Sequence, residues 1–191
     1  MRALFSAFLI ATAAPAAADY ADPPALRGDS GYLINVETAV FEGPVDQVSA
    51  ALQSPETGVL AHVTNTDRIP VITGMEPLVG AFPDAEAVRR LAFSDGSEVV
   101  ERVIENSSDR FANQVWGFTS ANGRALSHIR GEFKYEALGP TETLVTWEYA
   151  IAPRLFLVRP FVRSFLTNDF APFMESGLQG AAAAFNARVS G

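Results

Sequence analysis

The chain contains no cysteine. Disulfides, thiolate metal ligation, thiol redox chemistry and a lipid anchor through an N-terminal cysteine are therefore excluded, and stability must come from core burial. Histidine is scarce: His62 and His128 stand apart, with no clustering at ligand spacing, so no metal site and no cofactor is expected. Ser94, Ser97 and Ser127 lack any nucleophile-elbow context such as G-x-S-x-G. Bases are outnumbered, 14 against 22 acids, for a net charge of −8. Such a surface suits nucleic acid poorly, because that binding neutralises phosphates. It equally disfavours a simple electrostatic dock onto anionic lipid. Internal repeats are absent, and no apolar run is long enough to span a bilayer.

What remains is a globular composition. The 191 residues, 48% hydrophobic and 19% charged, suit one domain. Residues 1–18 read as a secretory signal peptide, with Arg2 as its basic start, a short apolar centre, and Ala16-Ala17-Ala18 as the small-residue cleavage site. The expected location is thus the periplasm or the exterior. Removing this segment, which holds Arg2 and no acid, leaves the remainder slightly more acidic. Residues 19–30, rich in Asp, Ala and Pro, read as a loosely ordered leader, and residues 31–191 as the domain proper.

Hydrophobic period divides that domain into elements. A strand is expected over 32–41, and a short helix from Pro44 to about Leu52, with proline in its first turn. A second short helix is expected over 55–63. Strands follow over 70–77, 87–93, 97–106, 110–119, 125–138 and 143–152, joined mostly by turn-forming residues such as Ser94-Asp-Gly96 and Ser120-Ala-Asn-Gly123. Beyond Pro153 the period changes from two to about 3.6. Leu166, Phe170, Phe173, Gly177, Ala181 and Ala184 form the stripe of a long helix over 159–189, which Pro172 should kink. Consecutive hairpins make the sheet antiparallel. The expected fold is α+β: a curved antiparallel sheet of about seven strands gripping a long C-terminal helix, with two short helices.

The segment Val36-Glu-Thr-Ala-Val-Phe-Glu-Gly-Pro-Val-Asp-Gln-Val48, together with Asp95-Gly-Ser-Glu-Val-Val-Glu-Arg102, Gly139-Pro-Thr-Glu-Thr-Leu-Val-Thr-Trp147 and the closing helix through Gly177-Leu-Gln-Gly180, resembles the SRPBCC superfamily. That superfamily holds the START-like helix-grip proteins and the polyketide cyclase/dehydrase and lipid transport proteins. The resemblance covers roughly residues 32–189. It implies an apolar ligand held between sheet and helix. The chain departs from the pattern over residues 81–86, a stretch longer than usual.

Alternation nominates the residues of such a site. Arg89, Leu91 and Phe93 share one face of their strand; Val99, Glu101 and Val103 share one face of the next. On the concave side, Arg89 and Glu101 would be charges within cross-strand reach in an apolar space, either a polar anchor for a ligand or a structural ion pair. Arg90 and Arg102 replace them if the facing is off by one. Phe133, Trp147 and Tyr149 from the later strands, with Phe170 and Phe173 from the helix, would form an aromatic wall. Gly131, Gly177 and Gly180 would leave room among them. His128 shares a face with Arg130, Glu132 and Lys134, which suggests solvent.

Three functions fit: an exported binder of a small apolar molecule or lipid, a cyclase/dehydrase-type enzyme with Glu101 as general base, or an interaction domain with a filled core. The stretch from Arg154 to Leu166 is apolar with arginines at intervals. It reads as a rim in transient contact with a membrane or as the entry to a core helix. Oligomeric state is not legible.

Overall fold

The computed structural model describes residues 20–54, 56–64 and 68–189. The signal-peptide reading falls on residues outside these. The elements run β1 (Leu33–Phe41), α1 (Val45–Gln53), a 3-10 turn (Val59–Ala61), β2 (Ile72–Val79), β3 (Val88–Phe93), β4 (Glu98–Asn106), β5 (Arg110–Trp116), β6 (Leu126–Gly139) and β7 (Glu142–Pro153). α2 (Arg159–Phe165), a π segment (Leu166–Phe170) and α3 (Ala171–Val189) close the chain. The seven strands form one antiparallel sheet in the order β1-β7-β6-β5-β4-β3-β2, so the first strand joins the last and the middle strands are successive hairpins. The fold is α+β and helix-grip.

Sheet and helix meet flush at one end only. There Phe41, Val48, Val145, Met174 and Leu178 are fully buried, and Phe41 meets Phe185 of α3 edge to face at 5.7 Å. The buried stripe of α3 is broader than its periodic skeleton: Met174, Leu178, Ala182 and Phe185 join Phe173, Gly177 and Ala181.

The kink expected at Pro172 takes the form of the five-residue π turn just before α3. Proline lacks the N–H that would bond four residues back, and its ring crowds that carbonyl, so a widened turn relieves both problems. The helix expected over 55–63 shrinks to a single 3-10 turn. Thr57 Oγ1 donates to Ala51 O (2.7 Å) and Gly58 N to Ser54 O (2.8 Å), pinning the chain back on the end of α1 before a new helix can propagate.

The leader is not loose from Tyr20 onward. It lies across the convex face of the sheet. Trp116 Nε1 donates to Ala21 O at 2.8 Å, Gln114 Nε2 to Pro24 O at 2.7 Å, and Arg27 Nη1 to Pro153 O at 2.9 Å. This corrects the reading of His128. It does point to the convex face, as the alternation implies, but it is fully buried there, its Nε2 2.9 Å from the Tyr32 hydroxyl. A polar face becomes interior wherever another segment covers it.

Burial lowers the His128 pKa below its ordinary 6.5, and the Arg27 charge adds to this. The folded state therefore binds this proton less readily than the unfolded chain, and stability must fall as pH drops below about 6.5. Denaturant titrations at pH 7 and pH 5 should show this loss. His128→Gln, which cannot titrate, should lose less over the same interval.

Candidate apolar ligand site

Toward the other end, sheet and helix separate around a cavity of about 510 Å³, within the range typical of small-molecule sites. Leu91 and Phe93 of β3, Val99 of β4, Val115 of β5 and Ile129 of β6 form its floor, and Val162, Phe165, Phe170 and Phe173 its roof. Lining residues that are also exposed, among them Leu60, Val71, Met75 and Phe161, mark where it opens.

A buried polar cluster interrupts this lining, to which the less buried Arg68, Ser97, Ser120 and Asn122 add further polar groups. Arg89 and Glu101 are directly opposed in the β3–β4 register, and Arg89 Nε donates to Glu101 Oε2 at 2.5 Å. Asn113 Nδ2 donates to the other carboxylate oxygen, Oε1. Phe82 holds the guanidinium from one side, with Cζ 3.4 Å from the ring centroid. Burial, and then the neighbouring Glu101 charge, push the Tyr149 phenol well above its usual range, so it keeps its proton and acts as a hydrogen-bonding group. The charges cancel locally, as buried charges must.

Gly131 makes this cluster sterically possible. It sits opposite Asn113 in the β5–β6 register. A Cβ there would collide with Asn113 Oδ1 and lie 3.1 Å from the Tyr149 ring. The missing side chain is the space into which both residues lean.

Of the residues nominated from the sequence, Arg89, Leu91, Phe93, Glu101, Tyr149, Phe170 and Phe173 line the cavity. Phe133 and Trp147 do not. They stack on each other, centroids 5.1 Å apart, toward the packed end of the grip. Trp147 is 2% exposed, its Nε1 has no hydrogen-bond partner among the described residues, and its ring meets Tyr149 edge-on at 5.5 Å. They share the face of Tyr149, but the hollow stops before reaching them. The off-by-one alternatives point outward: Arg90 pairs with Glu76 at 2.9 Å and Arg102 bonds Gln114 at 3.0 Å.

Gly177 and Gly180 also differ from expectation. They do not line the cavity but let the 3-10 turn and the residues after it approach the helix: a Cβ on Gly177 would meet Val63 at 2.8 Å, and one on Gly180 would meet His62 at 2.7 Å. The strand pattern does not nominate Asn113 or Phe82. A polar residue at the inward period between Phe111 and Val115 is a usable signal for Asn113. Phe82 comes from residues 81–86, the stretch that departs from the superfamily pattern. Among the described residues no group of three or more His, Asp or Glu side chains could hold a metal ion.

This is the architecture of a helix-grip protein with a partly hollow core. Its fold is SRPBCC-like, and solved structures share that fold. The Zhui aromatase/cyclase from Streptomyces sp. R1128 superposes with a TM-score of 0.58 at 14% identity, over 83% of this chain and 96% of that one. Ginseng major latex-like protein 151 from Panax ginseng gives 0.57 at 14% identity, over 81% and 98%. The protein TTHA0849 from Thermus thermophilus gives 0.58 at 11% identity, over 82% and 99%. These likenesses show the fold alone. No family model and no curated protein sequence matches the chain.

Proposed function

We propose that this protein is an exported carrier that holds a small apolar molecule or lipid between the sheet and the C-terminal helices, in the periplasm or outside the cell. The observation that carries the reading is the 510 Å³, mainly apolar cavity with a buried polar cluster in its wall. The residues proposed to contact ligand are Arg89, Leu91, Phe93, Glu101, Tyr149, Phe170 and Phe173. Burying about 300 Å² of apolar ligand surface would supply roughly 7 kcal/mol before ordering costs. Loading and unloading would take place during transient contact with a membrane.

The cluster also selects the ligand's polar end. Arg89 is already neutralised by Glu101, so a ligand carboxylate would add a net buried charge, which is costly. A hydroxyl or carbonyl adds none. The ligand class is therefore an apolar skeleton with a neutral oxygen function. The enzyme reading, with Glu101 as base, is weaker because both of its oxygens are already bound by Arg89 and Asn113. The hollow weighs against the filled-core interaction domain.

Native mass spectrometry of gently purified protein should reveal a bound neutral lipid-like molecule. Protein that stays empty across host strains and added lipid extracts would count against the carrier.

A further inference from the structure

Among the described residues, the longest continuous exposure of large apolar side chains lies outside the cavity, on the loop from β7 to α2. Leu155 is 61% exposed, Phe156 85% and Leu157 86%; Phe161, on the first turn of α2, is 45% exposed. Isolated exposed apolar residues are ordinary, but a run of three joined to a fourth marks a contact surface. An open groove beside them is lined by Phe156, Leu157, Arg159, Pro160, Arg163 and Thr167, among others.

Charge identifies what this surface would meet. Residues 154–168 include Arg154, Arg159 and Arg163 and not one acid, in a chain of net charge −8. Arg154 and Arg163 are exposed and have no ion pair among the described residues. Arg159 donates through Nη2 to Tyr32 O at 3.0 Å, which ties the base of the loop to β1.

We propose that this tip docks the protein on an anionic lipid bilayer. Phe156 and Leu157 enter the acyl boundary while Arg154 and Arg163 remain at the phosphates. The chain's overall negative charge disfavours such a surface, so this acid-free stretch sets the orientation of approach. A second copy of the chain fits less well, because a two-fold contact here would oppose one set of arginines with the other. A protein partner would ordinarily bury about 1,200–2,000 Å², far more than four side chains offer. Among the described residues no helix is long and apolar enough to cross a membrane, so this contact is peripheral.

The tip is continuous with the proposed ligand site. Phe161 and Val162 of α2 line the cavity while Leu157 and Pro160 face outward, so the docked end is also a cavity wall. That part of the proposal rests on the carrier reading; the docking itself does not.

The test is co-sedimentation with phosphatidylcholine vesicles, with and without phosphatidylglycerol, and uptake of an environment-sensitive apolar dye in solution. Wild type should bind the anionic vesicles and release as salt rises. Phe156→Ser/Leu157→Ser should weaken that binding roughly tenfold or more and leave dye uptake intact. Arg154→Gln/Arg163→Gln should abolish the preference for phosphatidylglycerol. Wild type that ignores anionic vesicles, or a serine double variant that sediments like wild type, would overturn the proposal. So would a concentration-dependent dimer that the serine variant abolishes, since it would assign the tip to a second copy. Failure of dye uptake with vesicle binding retained would count against the carrier and leave the docking surface standing.

Discussion

Arg89→Met should cost about 3–5 kcal/mol of folding stability, and adding Glu101→Gln should recover more than half of that loss. The single change removes the partner of a carboxylate that is only 5% exposed and leaves its charge in an apolar wall. The double change removes both charges. The glutamine carbonyl can still accept from Asn113 Nδ2, so that hydrogen bond survives. Methionine keeps most of the arginine stem's volume and stays against Phe82. Equilibrium denaturation of the two single variants, the double variant and wild type completes the cycle. Equal stability of Arg89→Met and the double variant would show that water reaches the pair and screens it. A loss under about 1 kcal/mol in Arg89→Met would place the pair with ordinary surface ion pairs. Either result would remove the argument that the ligand's polar end must be neutral.

The same pair shows how far the sequence reaches. Arg89 and Glu101 can be placed on inward faces of neighbouring strands because alternation along a strand is strict. The structure has them in direct register. Strand count, antiparallel order and the terminal helix are legible for the same reason: period two, turn residues and period 3.6 are local signals. Depth along a face is not local. Phe133, Trp147 and Tyr149 look equivalent in sequence, yet only Tyr149 lines the cavity. Where the hollow stops depends on how the sheet curves beneath the helix, and no residue encodes that alone. Gly177 and Gly180 illustrate a second limit: absence of a side chain signals close approach, but not of what. His128 illustrates a third, since its face follows from alternation while it is buried against Tyr32, distant in sequence.

Val99→Trp should abolish uptake of apolar ligands while leaving the protein folded. Val99 is 6% exposed, lies on β4 two residues before Glu101 and lines the cavity. A filled core would reject such a gain in volume at a cost of about 1–3 kcal/mol or more. A hollow of 510 Å³ can take the indole, since its ring replaces the ligand instead of displacing packed side chains. Dye affinity should fall at least tenfold, about 1.4 kcal/mol. The denaturation midpoint should fall little, or rise, because the added apolar surface is buried. The packed end supplies the control. Val145 is fully buried near Trp147 and absent from the cavity lining, so Val145→Trp should cost stability heavily. If Val99→Trp and Val145→Trp destabilise alike, the two ends of the grip are equally full in solution, and the carrier loses its binding space. If Val99→Trp folds well and still binds dye with wild-type affinity, the dye occupies another surface, and the exposed groove beside Phe156 and Leu157 is where it should be sought.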